Sequence, residues 1–485
     1  MMTRRSMLAG AMCLLPHRKS GQQRPRRNVL LIAVDDLRPQ LGCYGDVHAR
    51  TPHMDAIAAR GVVFERAYCQ QALCGPSRAS LLTGLRPDTI RVYDLTTPFR
   101  RAVPDAVTLP QLFRKHGYHT ENIGKVFHGH ELMNDRESWS VPERLHMVTK
   151  RDQYALRENQ PAEEWTKTVA TERAAVSDDA YIDGRVAADA VETLNRIKDR
   201  PFFLGVGITK PHLPFTAPSK YWDLFDRAKL PLARNPQNAR DSASFAIPSY
   251  SELRSYADFP KDGPIPEAKM REAMHGYYAA TAYADACIGR VVRELERLKL
   301  AENTVIALWG DHGWHLGEHG HWGKSTNFEA STRSPLIVSA PGVTRRARCR
   351  RLVEFVDIYP TLAELCALAA PDNLEGESFV PLLTQPERAW KRAAFSQYPR
   401  PSKSAAQSTD SILKGDVMGY TMRTETFRYT EWRRGADVIE VELYDHRKDR
   451  DETVNVARDP RYQEDLKSMK KQMQAGWKGA RRAKA

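Results

Sequence analysis

An α/β fold with a mostly parallel sheet, followed by a smaller C-terminal α+β domain with an antiparallel sheet, is what this sequence predicts. Three observations carry that expectation. Continuous apolar runs rich in β-branched residues recur along the chain. Helical patterns alternate with them. Past residue 400 both give way to short strand-like segments.

Residues 1–27 read as a leader. Thr3-Arg4-Arg5-Ser6-Met7-Leu8 is a twin-arginine start, a short apolar run covers 7–15, and Pro16 and the basic His17-Arg18-Lys19 follow. That run is too short to cross a bilayer, which takes about 20 residues. It fits an export signal without a clear small-residue cleavage site, so the expectation is an exported protein, periplasmic or extracellular, with no membrane span.

The large domain is expected over 28–400. Asn28 to Val34 reads as a buried strand ending in Asp35-Asp36. A helical pattern over 51–61 has Pro52 near its start and Gly61 at its end, and 108–116 reads as a helix closed by Gly117. A second buried strand, 202–208, is broken by Lys210-Pro211-His212-Leu213-Pro214. A long helical pattern spans 274–300. A third strand, 305–309, leads into Gly310-Asp311-His312-Gly313, and 336–338 is a further strand. A linker is expected at 399–404. The smaller domain, 401–485, then shows strand-like segments at 420–424, 427–432 and 442–444, and a basic, helix-prone tail from Lys467. There is no internal repeat.

With 41% apolar and 27% charged residues over 485 positions, wholesale disorder, collagen and coiled coils are excluded. A net charge of +13 suits a polyanionic partner, but composition does not choose between nucleic acid, acidic lipid and acidic polysaccharide. The seven cysteines form no CxxC pair and no zinc spacing.

In parallel sheets ligands bind beyond the carboxyl ends of the strands. Three runs end there in polar residues: Asp35-Asp36, Lys210 with His212, and Asp311-His312. Adjacent carboxylates on a buried strand repel unless a cation offsets them, and hard divalent ions prefer such oxygens. The plainer alternative is one Asp capping the next segment and the other solvated. The loop 310–324 holds five glycines and four histidines, which is open to a zinc reading. No HExxH accompanies it, and His315, His319 and His321 are expected to be structural. Cys74 lies on a Gly-Pro turn with a helix read at 80–84 just beyond, near backbone N–H groups that favour anions.

Cys74-Gly75-Pro76-Ser77-Arg78, followed by Ala79-Ser80-Leu81-Leu82-Thr83-Gly84, resembles the signature of the type I, formylglycine-dependent sulfatases. Asp35-Asp36, Gly124-Lys125-Val126-Phe127-His128, Lys210-Pro211-His212, Gly310-Asp311-His312-Gly313 and Lys324 stand in that family's order. The chain is most similar to the iduronate-2-sulfatase branch at 29–37, 210–215, 314–319 and 418–424.

That resemblance implies an alkaline-phosphatase-like large domain. It implies a sulfuric-ester hydrolase acting on a sulfated saccharide, with Cys74 oxidised to formylglycine by a formylglycine-generating enzyme. Pro76 and Arg78 belong to the modification signal, and Arg78 also holds the modified side chain. Ca²⁺, with Mg²⁺ as the alternative, is held by Asp35, Asp36, Asp311, His312 and an oxygen of modified residue 74. Lys125, His212 and Lys324 match the cationic positions around the sulfate, with His212 or Lys324 protonating the leaving alcohol, and His128 matches the base that releases sulfate. No nucleic acid is expected. The competing expectations are a phosphoester or phosphonate hydrolase of the same superfamily, and a non-catalytic polyanion-binding protein.

Overall fold

The structure is a computed structural model that describes residues 26–401 and 416–481. The leader up to residue 25 and residues 402–404 of the expected linker lie outside the described residues.

Seven strands build the main sheet: β1 (Asn28–Val34), β2 (Val62–Tyr68), β3 (His119–Gly124), β4 (Phe202–Ile208), β5 (Thr304–Gly310), β6 (Leu336–Ser339) and β7 (Ala347–Glu354). Their order is β7-β2-β6-β5-β1-β4-β3. All run the same way except β6, which is antiparallel to both neighbours, β2 and β5. β1 is an interior strand, between β5 and β4, and every residue of it is buried. Its side chains alternate: Val29, Leu31 and Ala33 enter one core, Leu30, Ile32 and Val34 the other. A strand buried on both faces needs apolar residues at every position, which is why it reads as a continuous run rather than an alternation.

Helices cover both faces. On one face pack Cys74–Thr83, Leu109–Lys115 and Ile358–Leu365; on the other, Pro52–Ala59, Ile182–Ile197 and the long Glu267–Arg297. Helix Leu109–Lys115 begins with a capping box, in which Thr108 and Gln111 satisfy each other's backbone N–H groups. The expected elements are present, with three adjustments. The long helix starts at Glu267 rather than 274, because its first turns carry a polar face that gives no apolar period. The helix after the Gly-Pro turn begins at Cys74 itself, not at Ser80. β2, β3 and β7 are additional; β3 (HTENIG) and β7 (ARCRRLVE) contain too many polar residues to read as buried runs.

The smaller sheet is antiparallel, in the order β8 (Ala393–Arg400), β9 (Val417–Thr424), β10 (Phe427–Arg434) and β11 (Asp437–Asp445), with helix Gln463–Ala480 packed on it through Met469 and Met473. Here the expected linker is corrected: Pro399 and Arg400 are the last residues of β8, paired with Met418 and Val417. β8 is an edge strand, where a proline removes no ladder bond. Among the described residues no helix is long and apolar enough to cross a membrane.

Candidate active site

The parallel strands bring their carboxyl ends to one edge, and the chemistry-bearing residues follow directly from them. Asp35 and Asp36 succeed β1, Lys125 succeeds β3, Lys210 and His212 follow β4, and Asp311 and His312 follow β5. Cys74 opens the helix reached from β2. Residues separated by more than 200 positions therefore meet in one place.

Lys125 reaches it because two backbones approach closely. Gly124 has a left-handed φ of 77°, and a Cβ on Gly207 would lie 2.2 Å from the Lys125 backbone.

Cys74 is the hub. Its Sγ lies 3.2 Å from Asp35 Oδ1, to which the thiol donates, and 3.3 Å from His312 Nε2. Burial and the neighbouring Asp35 push this thiol well above its ordinary range. Unmodified, it is a protonated thiol and a poor nucleophile.

Asp35, Cys74, Asp311 and His312 present donor atoms within 4.8 Å of one another, all buried. His312 Nδ1 lies 3.0 Å from the Gly313 carbonyl, which fixes it as the N–H donor and leaves Nε2 as a lone pair facing the cluster. Asp36 stands beside them, its Oδ1 3.5 Å from His312 Nε2. Its backbone carries φ 58°, which turns this second carboxylate back toward the first. Asp36 Oδ2 is buried with no hydrogen-bond partner. Three carboxylates, one of them with an orphaned oxygen, and one imidazole form a donor set that fits a hard divalent cation.

Fixed cations surround it. Lys125 Nζ donates to Asp35, and Lys324 Nζ donates to Asp36 Oδ1 at 2.7 Å. Arg78 is fully buried; its Nε donates to Asp311 Oδ2 at 2.8 Å, and its Nη1 to the carbonyls of Lys125 and Val126. Burial alone would raise Asp35, but Lys125, His212 and Arg78 hold it well below the usual carboxylate range. Asp36 moves the other way, raised by burial and by Asp35 and Glu252 against the pull of Lys324.

His212 Nε2 lies 3.8 Å from Asp36 Oδ2 and 3.5 Å from Glu252 Oε1. His128 lines the same cavity, its Nδ1 buried without a partner; burial and Lys125 keep it neutral, well below the ordinary histidine range.

These groups face a cavity of about 270 Å³. Asp35, Cys74, Lys125, His128, His212 and Lys324 line it, while Asp36, Arg78, Asp311 and His312 stand behind them. The catalytic and metal residues that the resemblance implies thus lie in or immediately behind one cavity. Sequence reasoning missed Glu252, which pairs with both His212 and Lys324, at 3.3 Å from the latter. It sits in an irregular stretch with no motif to mark it.

The loop histidines are held by hydrogen bonds within the fold, and of the three only His321 lines the cavity. His315 bonds the Glu318 carbonyl and Thr326 Oγ1, His319 bonds the carbonyls of Asp451 and Glu452, and His321 bonds the Lys324 carbonyl. A second carboxylate–histidine group, Glu329, His446 and Glu452, is filled by guanidinium groups. Arg428 bonds both glutamates and Arg423 bonds Glu329 and His446.

The sulfatase family matches residues 27–367, and the C-terminal part of N-sulphoglucosamine sulphohydrolase matches 317–478. The chain is 34% identical to the iduronate 2-sulfatase of Mus musculus, over 88% of this chain and 89% of the relative. It is 29% identical to a sulfatase of Formosa agariphila, over 97% and 91% respectively. Among solved structures, the phosphonate monoester hydrolase of Agrobacterium radiobacter superposes with a TM-score of 0.76 at 23% identity, covering 93% of this chain and 95% of that one. A structure described as a 2-O GAG sulfatase superposes at 0.68 with 22% identity, covering 93% and 91%. These two structural likenesses are of fold.

Proposed function

The chain belongs to the sulfatase family and is a sulfuric-ester hydrolase; from that premise we propose that it removes sulfate from a sulfated uronic-acid unit of a saccharide, using modified Cys74 and a divalent cation. The observation that carries this reading is the meeting of Cys74 with Asp35, Lys125 and His312 at the bottom of one cavity. The iduronate 2-sulfatases among its relatives support the uronic-acid unit.

Cys74, with its thiol pushed upward, serves as precursor. As formylglycine hydrate, residue 74 would offer one hydroxyl to attack sulfur as the alcohol departs, and a second whose deprotonation restores the aldehyde and expels sulfate from the first. Asp35, Asp36, Asp311 and His312 would hold the divalent cation, Ca²⁺ in this reading, which would supply Lewis acidity to the reaction.

The protein's own residues do the rest. Lys125 and Lys324 flank the sulfate oxygens on which charge builds, already fixed by Asp35 and Asp36, so no reorganisation is needed during the reaction. Arg78 holds Asp35 and Asp311 in place from behind. His212 or Lys324, both tied to Glu252, protonates the leaving alcohol. Burial and Lys324 hold His212 well below the ordinary histidine range, whereas burial of Lys324 is overcome by Asp36 and Glu252, which keep it charged. Neutral His128 takes the proton from the second hydroxyl so that sulfate leaves. The twin-arginine start supports export, and maturation requires a formylglycine-generating enzyme.

The test is sulfate release by full-length protein co-expressed with that enzyme, supplied with Ca²⁺, on an aryl sulfate and a panel of sulfated disaccharides. A phosphonate monoester is assayed in parallel. Faster turnover of the phosphonate than of every sulfate would overturn the reading in favour of the phosphonate alternative.

A further inference from the structure

Part of the cavity lining has no task in the reaction above. Lys150, Trp165, Lys167 and Tyr250 also face it, the first three from the irregular stretch between β3 and β4. Lys150 is only 8% exposed, and its Nζ donates to the Leu213 carbonyl at 2.9 Å. Lys167 Nζ donates to Tyr250 Oη at 3.1 Å and Ser255 Oγ at 2.9 Å. Both ammonium groups lie over the ring of Tyr256, at 5.7 and 5.6 Å from its centroid.

What sets these lysines apart is the absence of a counter-ion. Lys125 and Lys324 are each matched by a carboxylate. Among the described residues, neither Lys150 nor Lys167 forms an ion pair. The nearby Glu252 is already engaged by His212 and Lys324. Two neighbouring ammonium groups, one of them buried, carry a desolvation cost that neutral oxygens and a ring face offset only in part. Burial and the adjacent Lys167 accordingly hold Lys150 well below the usual lysine range. An anion entering here removes that cost.

Beside them Trp165 is 57% exposed, a large apolar ring at the wall of a polar cavity. An indole left in solvent next to a binding cavity suits a flat partner with C–H groups on its face, and a pyranose ring is such a partner.

We propose that Lys150, Lys167 and Trp165 form an acidic-sugar subsite, in which the two lysines take an oxyanion of the saccharide other than the scissile sulfate and Trp165 stacks on a sugar ring. This rests on the sulfated-saccharide reading and adds specificity residues to it. A ring carboxylate and a second sulfate ester share the required chemistry.

The test uses matured, Ca²⁺-loaded full-length enzyme and two substrate pairs. The first pair is a sulfated uronate disaccharide and its carboxyl-reduced analogue. The second is the carboxyl-reduced disaccharide with and without a second sulfate. A preference of about tenfold or more in kcat/KM within one pair is expected, and that pair identifies the anion. Lys167→Met should bring the ratio to within about threefold. Trp165→Ala changes an exposed side chain and keeps the fold; it should raise KM for disaccharides about fivefold or more relative to an aryl sulfate. Wild-type enzyme that cleaves sulfates but treats both pairs alike, or a Lys167→Met enzyme that keeps the full preference, overturns the subsite and leaves the sulfatase reading intact. No release from any sulfate, the aryl sulfate included, overturns the sulfatase reading itself and the subsite with it.

Discussion

His312 holds its Nε2 3.3 Å from the sulfur of Cys74 while its Nδ1 is committed to the Gly313 carbonyl. In the proposed site this imidazole, with a free Nε2 lone pair, would serve as a neutral ligand and not as a general acid. Replacing it with alanine, or Asp311 with asparagine, should weaken Ca²⁺ binding measured by calorimetry and lower turnover by at least about 100-fold. Stoichiometric zinc with no calcium or magnesium in purified, active protein would contradict the cation assignment.

Cys74 occupies the first turn of its helix, fully enclosed. Cys74→Ala should abolish turnover yet keep the melting temperature within a few degrees, because the side chain is small and its removal leaves little void. Mass spectrometry of the peptide containing residue 74 should show an aldehyde in place of the thiol in active enzyme. A free thiol in fully active enzyme would refute the modification.

Gly207 on β4 is the position where the fold makes room for Lys125. Gly207→Ala places a methyl group against the Lys125 backbone and should cost about 1–3 kcal/mol in stability. It should also displace Lys125 from Asp35, and an error of about 1 Å in such a group costs on the order of 100-fold in kcat. Chemical denaturation and steady-state kinetics measure the two effects separately.

The two sheets are joined by a buried ionic network. Glu329 of the large domain accepts from Arg428 at 2.6 Å and from Arg423 at 3.2 Å, both on the small sheet. Glu329→Gln should destabilise by about 3–5 kcal/mol, since it leaves buried guanidinium charge unpaired. Burial would raise Glu452 in the same network, but Arg428 and His446 hold it down to about 2. Its folded value lies below its unfolded one, so its contribution is fully present above about pH 5 and is lost as pH falls toward 2. Melting temperature should therefore decline below pH 5, and decline less steeply in Glu452→Gln.

The net charge of +13 raises the question of where it acts. Four lysines line the cavity. Activity on a sulfated polymer should fall as salt rises, since the screening length shortens from about 10 Å at 0.1 M to about 3 Å at 1 M. A small aryl sulfate should respond less. A chain lacking the leader and carrying glutamine at the exposed Lys467, Lys470, Lys471 and Lys478 should keep part of this dependence, while Met469 and Met473 still dock the last helix. Complete loss would assign the effect to the basic termini.

Much of this was legible in the linear chain. β1, β4 and β5 announce themselves because a strand buried on both faces must be apolar at every position, and the polar residues directly after them mark the edge where a site forms. The Cys74–Gly84 motif named the chemistry. Other features were decided only by folding. Glu252, Lys150, Lys167 and Trp165 come from irregular segments with no periodicity, and they acquire meaning only when those loops close over the strand ends. Asp35 and Asp36 are adjacent in sequence, yet one is pulled below the usual carboxylate range and the other pushed above it. Nothing local separates them. Lys125 lies 90 residues from Asp35 and Lys324 lies 288 from Asp36, and the topology of the sheet assigns each lysine to its own carboxylate. Residue types are local and were readable. Electrostatic partners are set by distance through space, which only the tertiary structure determines.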